Sequence, residues 1–215
     1  MWGTELEKSE FGKIYPLFYG RPDERNYTQG IKVVKSLARK GYVPAIYQLG
    51  LAYFDHLGVH RNYIEAFRMY LAAANEGYPS AECGVGNFYA MAHPKHQACE
   101  IDPNQALIWW LKASNHGNSS AQYNLANAYL QGTSVRKDPV EAYVWSSLAV
   151  HCSTIRFRPA EVIRDQASSI IDEDMRKKAN QRIHLLQEQL PFIWSEHLIY
   201  WQQLEKERKL HEISK

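Results

Sequence analysis

Apolar residues recur along this chain at helical spacing, and the same stripe returns several times. Between Asn62 and Gly77, the residues Ala66, Met69, Tyr70 and Ala73 fall at i, i+3, i+4 and i+7. Between Asp102 and Gly117 the matching set is Ala106, Trp109, Trp110 and Ala113. Between Asp138 and Ser153 it is Ala142, Trp145, Ser146 and Ala149. Each stripe predicts an amphipathic helix that buries one face.

The polar residues around the stripes set the helix ends. Asn26, Asn62, Asp102 and Asp138 follow one another at 36, 40 and 36 residues. Their side-chain oxygens suit the orphan N–H groups of a first helical turn. Three positions later stand Gln29, Glu65, Gln105 and Glu141, which predicts something close to a capping box. Pro103 and Pro139 occupy the first helical position, where a missing N–H costs nothing. Gly41, Gly77 and Gly117 suit the left-handed residue that ends a helix. A second helix is then expected over about Pro44–Phe54, Ser80–Met91 and Ser119–Gln131. Ala45, Ala81 and Ala121 recur in these helices, as do Gly50, Gly86 and Ala126. Glycine inside a helix costs about 1 kcal/mol against alanine. Close approach of neighbouring backbones is the expected reason for accepting it twice at one repeat position. The repeating unit is a helix pair.

Two segments carry a family resemblance. The run Tyr129-x-x-Gly132-x-x-Val135-x-x-Asp138-x-x-Glu141-Ala142 resembles the Sel1-like repeat, as does Ala45-x-x-x-Leu49-Gly50-x-x-Tyr53. Ser134 replaces a usual glycine. His56 stands at the first turn-glycine position of its unit and Gly58 at the second. The unit starting at Ala81 holds four extra residues between Tyr89 and Asp102. The resemblance covers residues 26–153. It implies an all-α fold, an α/α solenoid of about three Sel1-like helix pairs related to tetratricopeptide repeats. Solenoids need helical caps at both ends to cover the apolar faces of the terminal units. Residues 1–25 are expected to form the N-terminal cap and residues 154–190 a C-terminal capping helix pair. In that pair Val162, Ile163, Ala167, Ile170 and Ile171 are expected on the inner side. Residues 191–215 are expected to form an amphipathic helix with Trp194, Leu198, Trp201 and Leu204 on one stripe.

Composition narrows the function. The 25 basic and 23 acidic residues leave a net charge of +2, which argues against a nucleic-acid module. No run approaches the ~20 apolar residues of a membrane helix. Met1–Lys13 lacks the apolar centre of a signal peptide, so a cytoplasmic location is expected. Cys83, Cys99 and Cys152 are expected to be reduced thiols. The segment Cys83-Gly84-Val85-Gly86 aligns with Tyr47–Gly50 and reads as helix packing, not a phosphate loop. No cofactor is expected.

The resemblance implies a non-enzymatic adaptor or scaffold that binds another protein, because members are mostly adaptors. In related solenoids the first helix of each pair builds a concave surface, and in the family's register, with units starting at Ala45, Ala81 and Ala121, that is the helix carrying the repeat alanine. On that basis Tyr47, Gln48, Leu51, Asn87, Phe88, Gln122, Tyr123 and Asn127 are candidate partner contacts. Trp194 and Trp201 are candidates for docking a partner, or a second copy through residues 191–215. One alternative is an antagonist or immunity-type protein that occludes an enzyme or toxin. A second is a metal-dependent enzyme or sensor built on the His93–Glu100 loop. There His93, His96, Cys99 and Glu100 are all zinc-ligand types.

Overall fold

A computed structural model describes residues 3–23, 25–90, 98–153 and 156–189. All four predicted caps form. Asn26 Oδ1 accepts from the Gln29 N–H at 3.0 Å, and Asn62 Oδ1 from Glu65 at 3.1 Å. Asp102 accepts from Asn104 and Gln105, and Asp138 from Val140 and Glu141, at 2.9–3.1 Å. These residues open α3 (Tyr27–Arg39), α5 (Tyr63–Asn75), α7 (Pro103–Asn115) and α9 (Pro139–Cys152).

The reciprocal half of the capping box is replaced. The N–H groups of Asn26, Asn62, Asp102 and Asp138 donate to the carbonyls of Leu17, Tyr53, Tyr89 and Tyr129, at 2.9–3.1 Å. A backbone acceptor already satisfies each cap, so the Gln or Glu side chain is not required there. The Tyr89–Asp102 bond closes despite the four extra residues between its ends. A full capping box occurs instead at Thr4 and Glu7, opening α1 (Glu5–Gly12).

The glycine stops form as expected. Gly41, Gly77 and Gly117 have φ of +84°, +77° and +79°. The next N–H reaches back to Leu37, Ala73 or Ala113, which is the Schellman arrangement. The chain then enters α4 (Val43–Asp55), α6 (Pro79–Ala90) or α8 (Ser119–Gln131). The short α2 (Tyr15–Tyr19) precedes the first cap, and α10 (Arg158–Ile170) and α11 (Glu173–Gln189) follow the last repeat helix. Among the described residues there are eleven helices and no strand.

The chain divides into two compact units between Lys112 and Ala113, inside α7. In the first, Ile14, Phe18, Ile31, Val34 and Leu37 form one part of the core. Val43, Tyr70, Tyr78, Val85 and Phe88 form another. The Tyr70 ring is wedged between bare backbones. A Cβ on Gly50 would lie 2.6 Å from one edge of the ring, and a Cβ on Gly84 would lie 2.9 Å from the other. A Cβ on Gly86 would lie 2.5 Å from the Trp110 ring and 3.2 Å from the Ala106 carbonyl. Of these three helical glycines, all make room for rings, and only Gly86 also makes room for a neighbouring backbone.

In the second unit Leu125, Trp145, Leu148, Ile163 and Ile171 are buried. Here Ala126 and Ser146 take the places of the glycine and the ring. Ser146 is buried and donates to the Ala142 carbonyl at 2.6 Å. Val162 and Ile170, expected on the inner side of α10, are 55% and 54% exposed. Val162 lies off the Ala160–Ile163–Ala167 stripe. Ile170 lies on it, but at the last turn, where the chain turns early into α11.

Candidate partner-binding surface

The eight described candidates from the repeat helices separate into two groups. Gln48, Phe88 and Gln122 are buried. Gln48 Nε2 donates to the Tyr19 hydroxyl at 2.8 Å. Phe88 meets Phe54, Phe67 and Tyr70 at ring separations of 5.3–5.8 Å. Gln122 Nε2 donates to the Ser114 carbonyl at 3.2 Å and lies 3.6 Å from Cys152 Sγ. The expectation of surface contacts is corrected for these three, because internal partners occupy them.

The other five reach solvent. In the first unit, half-buried Tyr47 stacks on Tyr70 at 5.4 Å and lies 5.1 Å from Tyr78. Burial pushes its hydroxyl well above the usual tyrosine range. Leu51 is half-buried against the same core. Asn87 is half-buried and accepts from Trp110 Nε1 at 2.9 Å. In the second unit, half-buried Tyr123 packs on Phe157 at 5.4 Å, while Asn127 is exposed. Tyr47, Asn87 and Tyr123, held by these contacts, lose little freedom when they bind, which suits protein recognition.

Three residues of the first unit outside the predicted set also reach solvent. Tyr19 is 44% exposed and is held by Gln48. Trp110 is half-buried and orients Asn87. Lys112 pairs with the fully buried Glu82 carboxylate at 3.3 Å and lies 4.8 Å over the Trp109 ring. The tryptophan stripe was visible in the sequence. The exposed edge of Tyr19 had no repeat partner to reveal it.

His93, His96, Trp194 and Trp201 lie outside the described residues. Of the metal candidates, Cys99 is half-buried with its thiol raised by desolvation, and Glu100 is exposed. Among the described residues, no group of three or more His, Cys, Asp or Glu side chains is placed to hold a metal ion. Cys83 is buried in mid-helix and its thiol is pushed up to about 12 by desolvation. Gly84 and Gly86 are likewise helical, as packing residues should be. No helix among the described residues is long and apolar enough to cross a membrane.

Comparison with known proteins matches the same geometry. A Sel1 repeat protein from Oxalobacter formigenes superposes with a TM-score of 0.67 at 20% identity, covering 83% of this chain and 72% of its own. A protective antigen of uropathogenic Escherichia coli with an SLR fold gives a TM-score of 0.60 at 30% identity, over 67% of this chain and 30% of its own. Chitin synthase regulatory factor 3 of Schizosaccharomyces pombe is 27% identical over 135 residues, which is 59% of this chain but only 14% of that protein. Residues 43–78, 79–118 and 119–152 each match the Sel1 repeat, together just over half of the chain. Sel1-repeat proteins generally mediate protein–protein interactions. The capped helix pairs, the glycine stops and three consecutive matching segments give one conclusion: this chain belongs to the Sel1 repeat family.

Proposed function

We propose that this chain is a non-catalytic adaptor that holds a partner protein on the accessible faces of its repeat helices. The observation that carries this reading is the fixing of half-exposed side chains at matched repeat positions. Tyr47 and Tyr123 both stand two residues after the repeat alanine, and both are packed against a second ring. Leu51, Asn87 and Asn127 all stand six residues after it. The little charge among these residues in each unit favours an uncharged or weakly charged protein surface over a nucleic acid. Sel1 scaffolds are also typically non-catalytic.

The test is quantitative capture from native cell extract by the immobilised chain, read by mass spectrometry. The double variant Leu51→Arg, Asn127→Arg is expected to reduce recovery of the main partner at least about tenfold, a loss of ~1.4 kcal/mol. Its helical circular dichroism should be unchanged. Equal recovery by the variant would remove the repeat face from the account.

A further inference from the structure

The corner between α10 and α11 is a repeat turn cut short. Helices α8 and α10 are both 13 residues long, and each buries alanines at matching places: Ala121 and Ala128, Ala160 and Ala167. Tyr129 therefore corresponds to Ser168. The Tyr129 carbonyl accepts from the cap N–H of Asp138, nine residues on. The Ser168 carbonyl accepts instead from the Arg176 guanidinium at 2.9 Å. The cap of α11 is Asp172, which accepts from the Met175 N–H at 2.8 Å and comes only four residues on. The corner is thus shorter by 9 − 4 = 5 residues.

The first unit shows what a full-length turn covers. Leu57 and Val59 pack against the core alongside Tyr27, the first residue of α3. Gly58 sits so close that a Cβ there would lie 2.7 Å from the Tyr27 carbonyl oxygen. In α9 the corresponding first residue is Pro139. No full-length turn follows to cover it. What remains is an open hollow of about 680 Å³, whose apolar wall is Val135, Pro139, Val140, Ile170, Ile171 and Met175. Ile170 and Met175 are 54% and 46% exposed. The charged side chains lining the hollow are Arg136, Lys137 and Asp138. Asp138 is engaged by two helix N–H groups, while both cations are exposed.

We propose that this hollow receives a glycine-containing turn of a partner protein, one that presents an aliphatic side chain and carries an acidic flank. The turn would take the place that the chain's own Leu57-Gly58-Val59 turn takes in the first unit. The proposal deepens the partner-binding reading and rests on it for biological meaning. Its chemistry is set by the apolar floor, the left-handed glycine of the internal template and the two cations at the rim.

The probe is a cyclic peptide containing Glu-Leu-Gly-Val-Glu, added to the full chain with methyl-labelled isoleucine and methionine. Saturable shifts are expected at the Ile170, Ile171 and Met175 methyls, with a Kd on the order of 1 mM, as suits so small a ligand. Ile170→Glu and Arg136→Glu should each weaken binding about tenfold or more. The peptide with lysine in place of its acids should bind more weakly than the parent. Absence of saturable shifts at these methyls, or indifference to both substitutions, would overturn the proposal. So would movement of the same methyls in peptide-free Trp201→Ala protein, which would put the chain's own residues in the hollow. Concentration-dependent dimerisation abolished by Ile170→Glu would assign the hollow to a second copy and also overturn it. The two readings fail separately. Peptide binding without any captured partner contradicts the adaptor reading, whereas partner capture untouched by Ile170→Glu contradicts the hollow.

Discussion

The two units solve the same packing problem with opposite residue choices. In the first, large rings lie against bare backbone: Tyr70 between Gly50 and Gly84, and Trp110 on Gly86. In the second, Ala126 and Ser146 occupy the corresponding positions, and Trp145, one residue earlier, is held by Glu141 through its indole N–H at 3.1 Å. The helix pair is thus specified by the sum of facing volumes and not by a fixed residue at either position. The first arrangement accepts the helix cost of glycine to seat a ring. The second keeps a better helix former and gives up the ring.

The largest expected effect distinguishes these choices directly. Gly86→Ala should destabilise the protein by about 2 kcal/mol through overpacking against Trp110, although helix propensity alone would favour alanine by about 1 kcal/mol. Ala126→Gly in the second unit should cost about 1 kcal/mol, the propensity term by itself. Urea unfolding of each variant measures both. A stabilised Gly86→Ala would show that the ring gives way freely and that the glycine is incidental.

Next in size are the caps, which the two units share. Asn62→Ala and Asp138→Ala should each cost about 1 kcal/mol. Hydrogen exchange should accelerate at the orphaned N–H groups of Glu65 and of Val140 and Glu141 respectively. Loss of protection confined to one cap would show that the other is held chiefly by its tyrosine carbonyl.

The turns should give a smaller change of opposite sign. Each of the two full turns among the described residues has one glycine and one non-glycine at left-handed φ: His56 at +63° with Gly58 at +74°, and Gly132 at +74° with Ser134 at +69°. Left-handed backbone strains an L side chain by roughly 1–2 kcal/mol, and the greater freedom of unfolded glycine offsets part of the relief. His56→Gly and Ser134→Gly should therefore each stabilise by roughly 0.5 kcal/mol, read as a raised urea midpoint. A lowered midpoint at His56 alone would mean that its side chain does something the turn does not require.

Smallest is a pH effect private to the second unit. Burial raises the Glu141 carboxyl above its ordinary value, against the opposing pull of Arg182. Its folded form holds the proton more tightly than its unfolded form. The charged carboxylate therefore lowers stability above the raised value, and acidification through that value relieves the effect. Wild type should gain stability relative to Glu141→Gln as pH falls from 7 toward 4, measured by urea titration at each pH. A difference that is constant with pH would contradict the burial argument.

Much of this arrangement was legible in the sequence because it repeats. The four caps, the three Schellman glycines and the turn positions at His56 and Ser134 could each be checked against a counterpart. What escaped were features without a sequence signature. Backbone carbonyls of Tyr53, Tyr89 and Tyr129 replace the expected capping-box side chains, and no residue type encodes a carbonyl partner. Gln48 and Gln122 looked like surface amides but are internal donors, because helical spacing does not reveal which polar residue finds a buried acceptor. The hollow beside Pro139 arises from five missing residues, and it becomes visible only once α8 and α10 are set side by side.

The most direct test of the adaptor account is site-specific photocrosslinking in the native cell from Asn127, using the full chain with a benzophenone side chain there. One dominant protein adduct is expected, lost when Tyr123→Arg, one turn away on the same helix, is added. Efficient crosslinking from exposed Gln166 on α10, with none from Asn127, would contradict it.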